Sequence, residues 1–335
     1  MMQDEFSMIR SLLRLRGSVD HQEQVEVDAG DDAAVVKHSS GTSVVLTCDT
    51  MVETVHFLPD TMTPFDIGYK CMVSNISDIA AMGGIPAHAI VSLAVPRTWS
   101  QPSVEEIYQG ILAAGKPFSI HLAGGDTVAA PRHLVLSITL MGEVETGKAL
   151  LRSSARPGDI LFITGEIGAS AGGLHLQMHR QDLRKQPYAA SLIKAHRRPW
   201  PRVEAGRYLL RSGTRPACND ISDGLAGEAQ EIADASGVRL VVDLDKIPVG
   251  KDLLAYGKET GCDIREWVLH GGEDFELLGS VSQTDWEKLR KESVEQGIPL
   301  FEIGRVEQGT PGVDCIHKGK RRTWTRTGYN HFADR

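Results

Sequence analysis

Again and again the chain sets an aspartate beside glycine, serine or threonine, against apolar residues. The stretches are GDDAAVV at 30–36, TCDT at 47–50, NISDIAAMGG at 75–84, GGDT at 124–127 and NDISDGL at 219–225. A carboxylate in apolar surroundings is costly unless something positive sits with it. Any fold for this chain must therefore turn these acids out to water one at a time, or gather them around cations.

The segments between the acids indicate which elements carry them. Residues 5–16, EFSMIRSLLRLR, are spaced like a short amphipathic helix. AAVVKH and TSVVLTCD read as strands. Pro64 opens a helix with Ile67, Met72, Ile76 and Ile79 on its apolar side, closed by Gly83-Gly84. AHAIVSLAVP is a strand, VEEIYQGILAAG a helix facing inward through Val104, Ile107, Ile111 and Leu112, and SIHLAGGDT and HLVLSITLMGEV are strands. The turn at 152–159, RSSARPGD, marks a boundary. A second unit then starts with strand DILFIT, the glycine-rich turn GEIGASAGG and a helix. LIKAHRRPWPRVEAGRYLL is broken by Pro199 and Pro201. The helix after NDISDGL places Leu225, Ala229, Ile232 and Ala233 on one face. RLVVDLDKIPV, DFELLGSVS, a helix at about 284–296 and LFEIGRV follow. Without a strict βαβα rhythm, the predicted class is α+β in two domains, 1–148 and 149–335.

Bulk properties narrow the function. The chain has 335 residues, enough for a sizeable core, and a formal net charge of −8, which argues against a nucleic-acid partner. Its five cysteines are scattered, without CxxC, so neither a disulfide framework nor a zinc site is expected; they read as reduced thiols of a cytoplasmic protein. The N-terminus lacks the apolar core of a signal peptide, and no run approaches the ~18 apolar residues of a membrane helix.

Taken singly, each acid has a plain explanation. Asp223 precedes a helix and reads as an N-cap. Asn75 and Asp78 share a helix face offset from the apolar stripe, where Asp78 would be a solvated polar residue. Asp31 and Asp32 suit a turn. Asp49, Asp126 and Asp220 sit at strand ends. Taken together they read differently. If these ends converge, like charges ~5 Å apart repel by about 3 kcal/mol per pair at an effective dielectric near 20. Divalent cations remove that cost. Oxygen ligands without a His or Cys set indicate a hard ion, Mg²⁺, which keeps waters and takes phosphate oxygens from a substrate. The cluster therefore implies a nucleoside triphosphate and phosphoryl transfer. GxxxxGK[ST] and the kinase HRD and DFG signatures are absent. GEIGASAGG fits an ordinary strand-to-helix turn as well as a phosphate loop.

GDDAAVV, TCDTMVETVHF, NISDIAAMGG, AGGDT, LLRSSARPGD, NDISDGL, GGEDFEL and a closing TGYNHF occur in that order. Together they resemble the thiamine-monophosphate kinases of the aminoimidazole-ribonucleotide-synthetase superfamily, from about residue 5 to residue 332. The resemblance implies two α/β domains: an N-terminal one with a mixed sheet that pairs in a homodimer, and a C-terminal one completing the nucleotide and substrate site. It implies transfer of the ATP γ-phosphoryl to thiamine monophosphate by direct in-line attack. It places several Mg²⁺ ions on Asp32, Asp49, Asp78, Asp126, Asp220 and Asp223. ATP would meet Gly125, Asp126, Arg152 and Ser222, and the substrate would meet His56, Glu273 and Tyr329. Where the family usually has Ser or Thr, then Thr, before the acid, this chain has Thr47-Cys48. Both are assigned to metal, Cys48 through its carbonyl because thiol is too soft for Mg²⁺. Without the resemblance, Arg152 reads as a turn arginine, His56 as structural, Glu273 as a turn acid, Ser222 as a helix cap and Tyr329 as a packing plug. Rival functions are another ATP-dependent superfamily member, a non-catalytic Mg-nucleotide sensor, and an acidic scaffold. Selenophosphate synthetase is disfavoured because the first cysteine comes only at Cys48.

Overall fold

The computed structural model describes residues 25–27, 31–38 and 41–324. The amphipathic segment at 5–16 and Tyr329 lie outside the described residues.

Period-two alternation builds the first sheet. Its strands are β1 (Val25–Val27), β2 (Ala34–Lys37), β3 (Thr42–Val52), β4 (Ile85–Pro96), β5 (His121–Ala130) and β6 (Val135–Glu145), in the order β1-β2-β3-β6-β4-β5. All neighbours are antiparallel except β4 and β5. In β3, Val45 and Met51 are buried on the inner face, which Thr47 and Asp49 share, while Cys48 and Thr50 take the other face. Helix α1 (Pro64–Ala81) packs on the inner face. It starts where Thr63 and Asp66 form a capping box ahead of Pro64, and its buried side carries the expected Ile67, Met72, Ile76 and Ile79. Helix α2 (Gln101–Gly115) lies against α1 so closely that a Cβ on Gly68 would sit 1.9 Å from the Ile107 carbonyl oxygen. Leu112 departs from expectation: it is 52% exposed, and the inward face is Ile107, Gly110, Ile111 and Ala114. Glycine and alanine are invisible to an apolar-stripe search, yet they allow this close approach.

The second half contains β7 (Asp159–Ile163), α3 (Ala169–His179), α4 (Ala189–Arg197), α5 (Val203–Arg211), β8 (Ala217–Asp220), α6 (Leu225–Ser236), β9 (Arg239–Asp243), α7 (Lys251–Thr260), α8 (Ile264–His270), β10 (Leu277–Ser282), α9 (Gln283–Glu295), β11 (Phe301–Glu307), β12 (Gly312–His317) and β13 (Lys320–Thr323). Its sheet order is β13-β12-β9-β11-β7-β10-β8. The fold is thus α+β, with two mixed sheets. The proline break between α4 and α5 and the inward face of α6 follow the sequence reading. Helices α7 and α8 and the β12–β13 pair were not anticipated. Lys320–Thr323 is polar and exposed, so strand pairing alone marks it as β.

Packing of α5 on α1 joins the halves, and Val203 and Phe275, from the second half of the chain, belong to the first core. The α1–β8 contact puts the polar side of α1 against the end of β8. Among the described residues, no helix is long and apolar enough to cross a membrane, and all five cysteines are free.

Candidate active site

Three elements bring the acids together. The segment after residue 30 supplies Asp32, α1 supplies Asp78, and the last residue of β8 is Asp220. One carboxylate oxygen from each lies within 4.8 Å of the others. Asp78 accepts a hydrogen bond from Thr47 Oγ1, and Ser77 Oγ donates to Asp220 Oδ2 at 2.6 Å. The α1 polar row also reaches β3: Asn75 Oδ1 accepts the Asp49 amide at 3.2 Å, while Ser74 Oγ donates to the Cys71 carbonyl at 3.0 Å. Helical spacing of three and four residues gives Ser74, Asn75, Ser77 and Asp78 their common outlook.

Positive charge at the cluster is scarce. Burial, then the neighbouring Asp49, Asp220 and Asp32, pushes the Asp78 carboxyl well above the usual carboxylate range. Burial and Asp32 do the same to Asp220, and burial raises Asp49. Burial, with the adjacent Asp32 charge, pushes Asp31 up to about 7. The cation nearby is Arg152, which donates to Asp32 Oδ1 at 2.8 Å, to Asn219 Oδ1 at 3.0 Å and pairs with Glu231 at 3.0 Å. Asp32 Oδ2 is buried with no hydrogen-bond partner among the described residues. A buried, unpartnered carboxylate oxygen on an acid grouped with two more fits a hard divalent cation, which prefers oxygen donors. Of the GDD pair, Asp32 joins the group, whereas Asp31 accepts the backbone amides of Asp32 and Arg152.

Other expected residues lie apart. Gly125 and Asp126 are exposed on β5, an edge strand, and Asp126 is not one of the three grouped carboxylates. Cys48 turns its Sγ to the opposite sheet face, 3.5 Å from Ser137 Oγ. Asp223 is exposed and is not the α6 cap: that position belongs to Gly224, without a side-chain bond. The Asp223 amide instead donates to Glu228 Oε1 at 2.9 Å, and Ser222 Oγ donates to the same atom at 3.3 Å. Glu228 was missed in the sequence. It is buried, takes Asn219 Nδ2 at 2.7 Å, and is pushed well above its usual range by burial and then Glu231. Its spacing three after Leu225, on the inward face, was the available signal. His56 Nδ1 accepts the Val52 amide at 3.0 Å, so its ring proton sits on Nε2.

Glu273 belongs to a tightly held loop. A Cβ on Gly272 would meet the Ser222 carbonyl oxygen at 2.2 Å, so only glycine allows the approach. The Glu273 amide donates to that carbonyl at 2.7 Å, with Glu273 in the left-handed region at φ 70. Glu273 Oε2 lies 2.5 Å from Lys70 Nζ. Asp274 accepts the amides of Gly168 at 2.6 Å and Ser170 at 3.2 Å, at the start of α3. GEIGASAGG is therefore an ordinary strand-to-helix turn in which the Gly168 and Ser170 amides are already taken. Glu276 accepts from Thr164 at 2.7 Å and from both Nε and Nη2 of Arg202. Lys70 and Arg202 were not legible because their partners lie 203 and 74 residues away.

Two sheets with their acids gathered at the junction define the class. The AIR synthase related protein N-terminal domain family matches residues 30–144 and the corresponding C-terminal domain family matches 156–315. Thiamine-monophosphate kinase of Bacillus subtilis (strain 168) is 42% identical over 331 residues, spanning 98% of this chain and 99% of the relative. The enzyme of the same name from Salmonella typhimurium is 34% identical, covering 98% of each chain. The solved structure of AaThiL complexed with AMPPCP and TMP superposes with a TM-score of 0.84 at 31% identity, covering 99% of both chains. The chain belongs to the thiamine-monophosphate kinase family.

Proposed function

We propose that the protein transfers the γ-phosphoryl group of ATP to the phosphate of thiamine monophosphate, giving thiamine diphosphate and ADP. The observation that carries this reading is the junction of Asp32, Asp78 and Asp220 within 4.8 Å, with one Asp32 oxygen unpartnered. Full-length similarity to thiamine-monophosphate kinases, and to a relative solved with AMPPCP and TMP, supports the substrate pair.

Asp32, Thr47, Asp49, Asp78 and Asp220 would hold Mg²⁺, with Cys48 contributing its carbonyl and exposed Asp126 and Asp223 completing the set. Bound Mg²⁺ supplies charge neutralisation, so that a −8 protein and two phosphorylated substrates can meet. The chain's own residues do the rest. Thr47 and Ser77 fix the rotamers of Asp78 and Asp220. Gly125, Asp126, Arg152 and Ser222 orient ATP, Arg152 with a planar fork suited to phosphate. His56, Glu273 and Tyr329 line the thiamine phosphate pocket. The attacking oxygen is already anionic, so a general base is unnecessary and the transfer is direct and in line.

Residues 1–148 form the Mg-nucleotide and dimerisation domain, and 149–335 complete the site. The outer face of the first sheet, with Ile90 54%, Val128 51% and Met141 38% exposed, is the homodimer surface. Five free thiols suit a cytoplasmic protein. The test is incubation with MgATP and thiamine monophosphate, with chromatography for ADP and thiamine diphosphate. The expected result is stoichiometric product that vanishes in excess chelator. Nucleotide binding without turnover would favour the sensor.

A further inference from the structure

A lysine that is 1% exposed requires a reason. Lys70, on α1, reaches across to the second half of the chain. Its ammonium meets Glu273 Oε2 at 2.5 Å and His196 Nδ1 at 3.3 Å. Lysine only donates, so His196 Nδ1 accepts, and His196 is neutral: burial, then Lys70, holds its pKa well below the usual value. Ser170 Oγ lies 3.4 Å from the same nitrogen. Both contacts of Glu273, with Lys70 and with His196 at 3.5 Å, are made by Oε2. Among the described residues Oε1 has no partner and remains for a ligand, and the side chain is 31% exposed.

A clamp between two halves does not need this chemistry, because apolar residues of similar volume replace a buried ion pair at little or no cost. Glu273 also sits on backbone that does not choose it for stability, at φ 70. Its amide is bonded to Ser222, beside Asp223 and two residues after Asp220. The pair thus holds one carboxylate, by one oxygen, next to the acid cluster.

We propose that Lys70 is a positioning residue for the organic half of the substrate: it locks Glu273 Oε2 so that Oε1 is presented as a fixed hydrogen-bond acceptor to the amino group of the pyrimidine ring. Charge compensation by Lys70 makes Glu273 a directional acceptor rather than a counterion, so it reads an N–H group. The inference rests on the kinase reading above and adds a source of specificity to it.

The test compares thiamine monophosphate with oxythiamine monophosphate, in which a carbonyl replaces the amino group, in full-length protein. The unaltered enzyme should prefer the amino substrate by about a hundredfold in kcat/KM, because a site built around a donor leaves its acceptor unpaired otherwise. Glu273→Gln and Lys70→Met should each bring that preference to within about fivefold and raise KM for thiamine monophosphate about tenfold, with KM for ATP within about twofold of the parent. Lys70→Gln, which keeps a donor, should give an intermediate preference. The double variant Lys70→Met/Glu273→Gln should be no worse than the singles, as expected of residues acting as a unit. A Lys70→Met or Lys70→Gln enzyme that retains the parent's preference overturns the inference while leaving the kinase reading intact. Failure of both Lys70 variants to fold, judged by circular dichroism and gel filtration, also overturns it, since the lysine would then serve the fold. Failure of the unaltered protein to make thiamine diphosphate sinks the kinase reading itself.

Discussion

Two groups of acids meet at the junction of the halves, and they are treated in opposite ways. In the loop 272–276 each carboxylate has a dedicated partner: Glu273 has Lys70, Asp274 has the first amides of α3, and Glu276 has Arg202 and Thr164. In the cluster of Asp32, Asp78 and Asp220, Arg152 pairs with Asp32, and among the described residues one Asp32 oxygen is left with no partner. Matched acids such as Asp274 and Glu276 brace the loop; acids in excess of their donors form the proposed cation site. The contrast separates acids whose charge the fold already answers, Glu273 among them with one oxygen kept for a ligand, from acids left in excess, although both sets are carboxylates wholly or partly withdrawn from water.

The largest effect should come from removing an excess acid. Asp78→Asn or Asp220→Asn is expected to lower kcat by about a thousandfold or more, in line with loss of preorganised charge stabilisation, while leaving the metal-free thermal midpoint unchanged or higher because repulsion is relieved. A lower midpoint would erase the distinction. Next, Glu276→Gln strands Arg202 and should cost about 3 kcal/mol in urea unfolding, the scale for breaking a buried pair. A loss below about 1 kcal/mol would mean that the loop's pairing is ornamental. A pH series sharpens the contrast further. Asp49, Asp78 and Asp220 are raised in the folded state by burial, and Asp31 is raised to about 7. The metal-free fold therefore binds more protons than the unfolded chain, and its stability is lost as pH rises through the raised values. From about pH 6.5 to 8.5, the metal-free midpoint should drop by about 5 °C, and saturating Mg²⁺ should flatten the curve. Calorimetry showing the same slope with and without Mg²⁺ would sever the cluster from the ion. The smallest effect belongs to a pair outside both groups. Arg207 bonds Glu145 at 2.9 and 2.7 Å, and this hydrogen bonding holds the Glu145 carboxyl down at about 2. Because Glu145 is 39% exposed, Glu145→Gln should cost about 0.5 kcal/mol in urea unfolding, a baseline for the larger losses.

Reading the chain worked where chemistry is local. The start of α1 at Pro64, the proline break between α4 and α5, and the inward face of α6 are written in capping, ring geometry and spacing. It worked less well where small or polar residues do the packing, as with Leu112 on α2 and with Lys320–Thr323. Within the site, Asp32, Asp78 and Asp220 were legible because an acid beside glycine or serine in an apolar run is conspicuous. Glu228, Lys70 and Arg202 were not, because a charged residue on a helix or in a turn looks solvated until its distant partner is known.

From the sequence alone came the supply of carboxylates at the ends of strands and helices, and the absence of a His or Cys set to compete for the ion. Both follow from residue identity and local spacing. Which carboxylates share one space, and which are already matched, only the tertiary structure decided. Those facts depend on contacts across 143 residues between Ser77 and Asp220 and 203 between Lys70 and Glu273. Electrostatic energy depends on distance in space and on burial, and neither can be read from order along the chain.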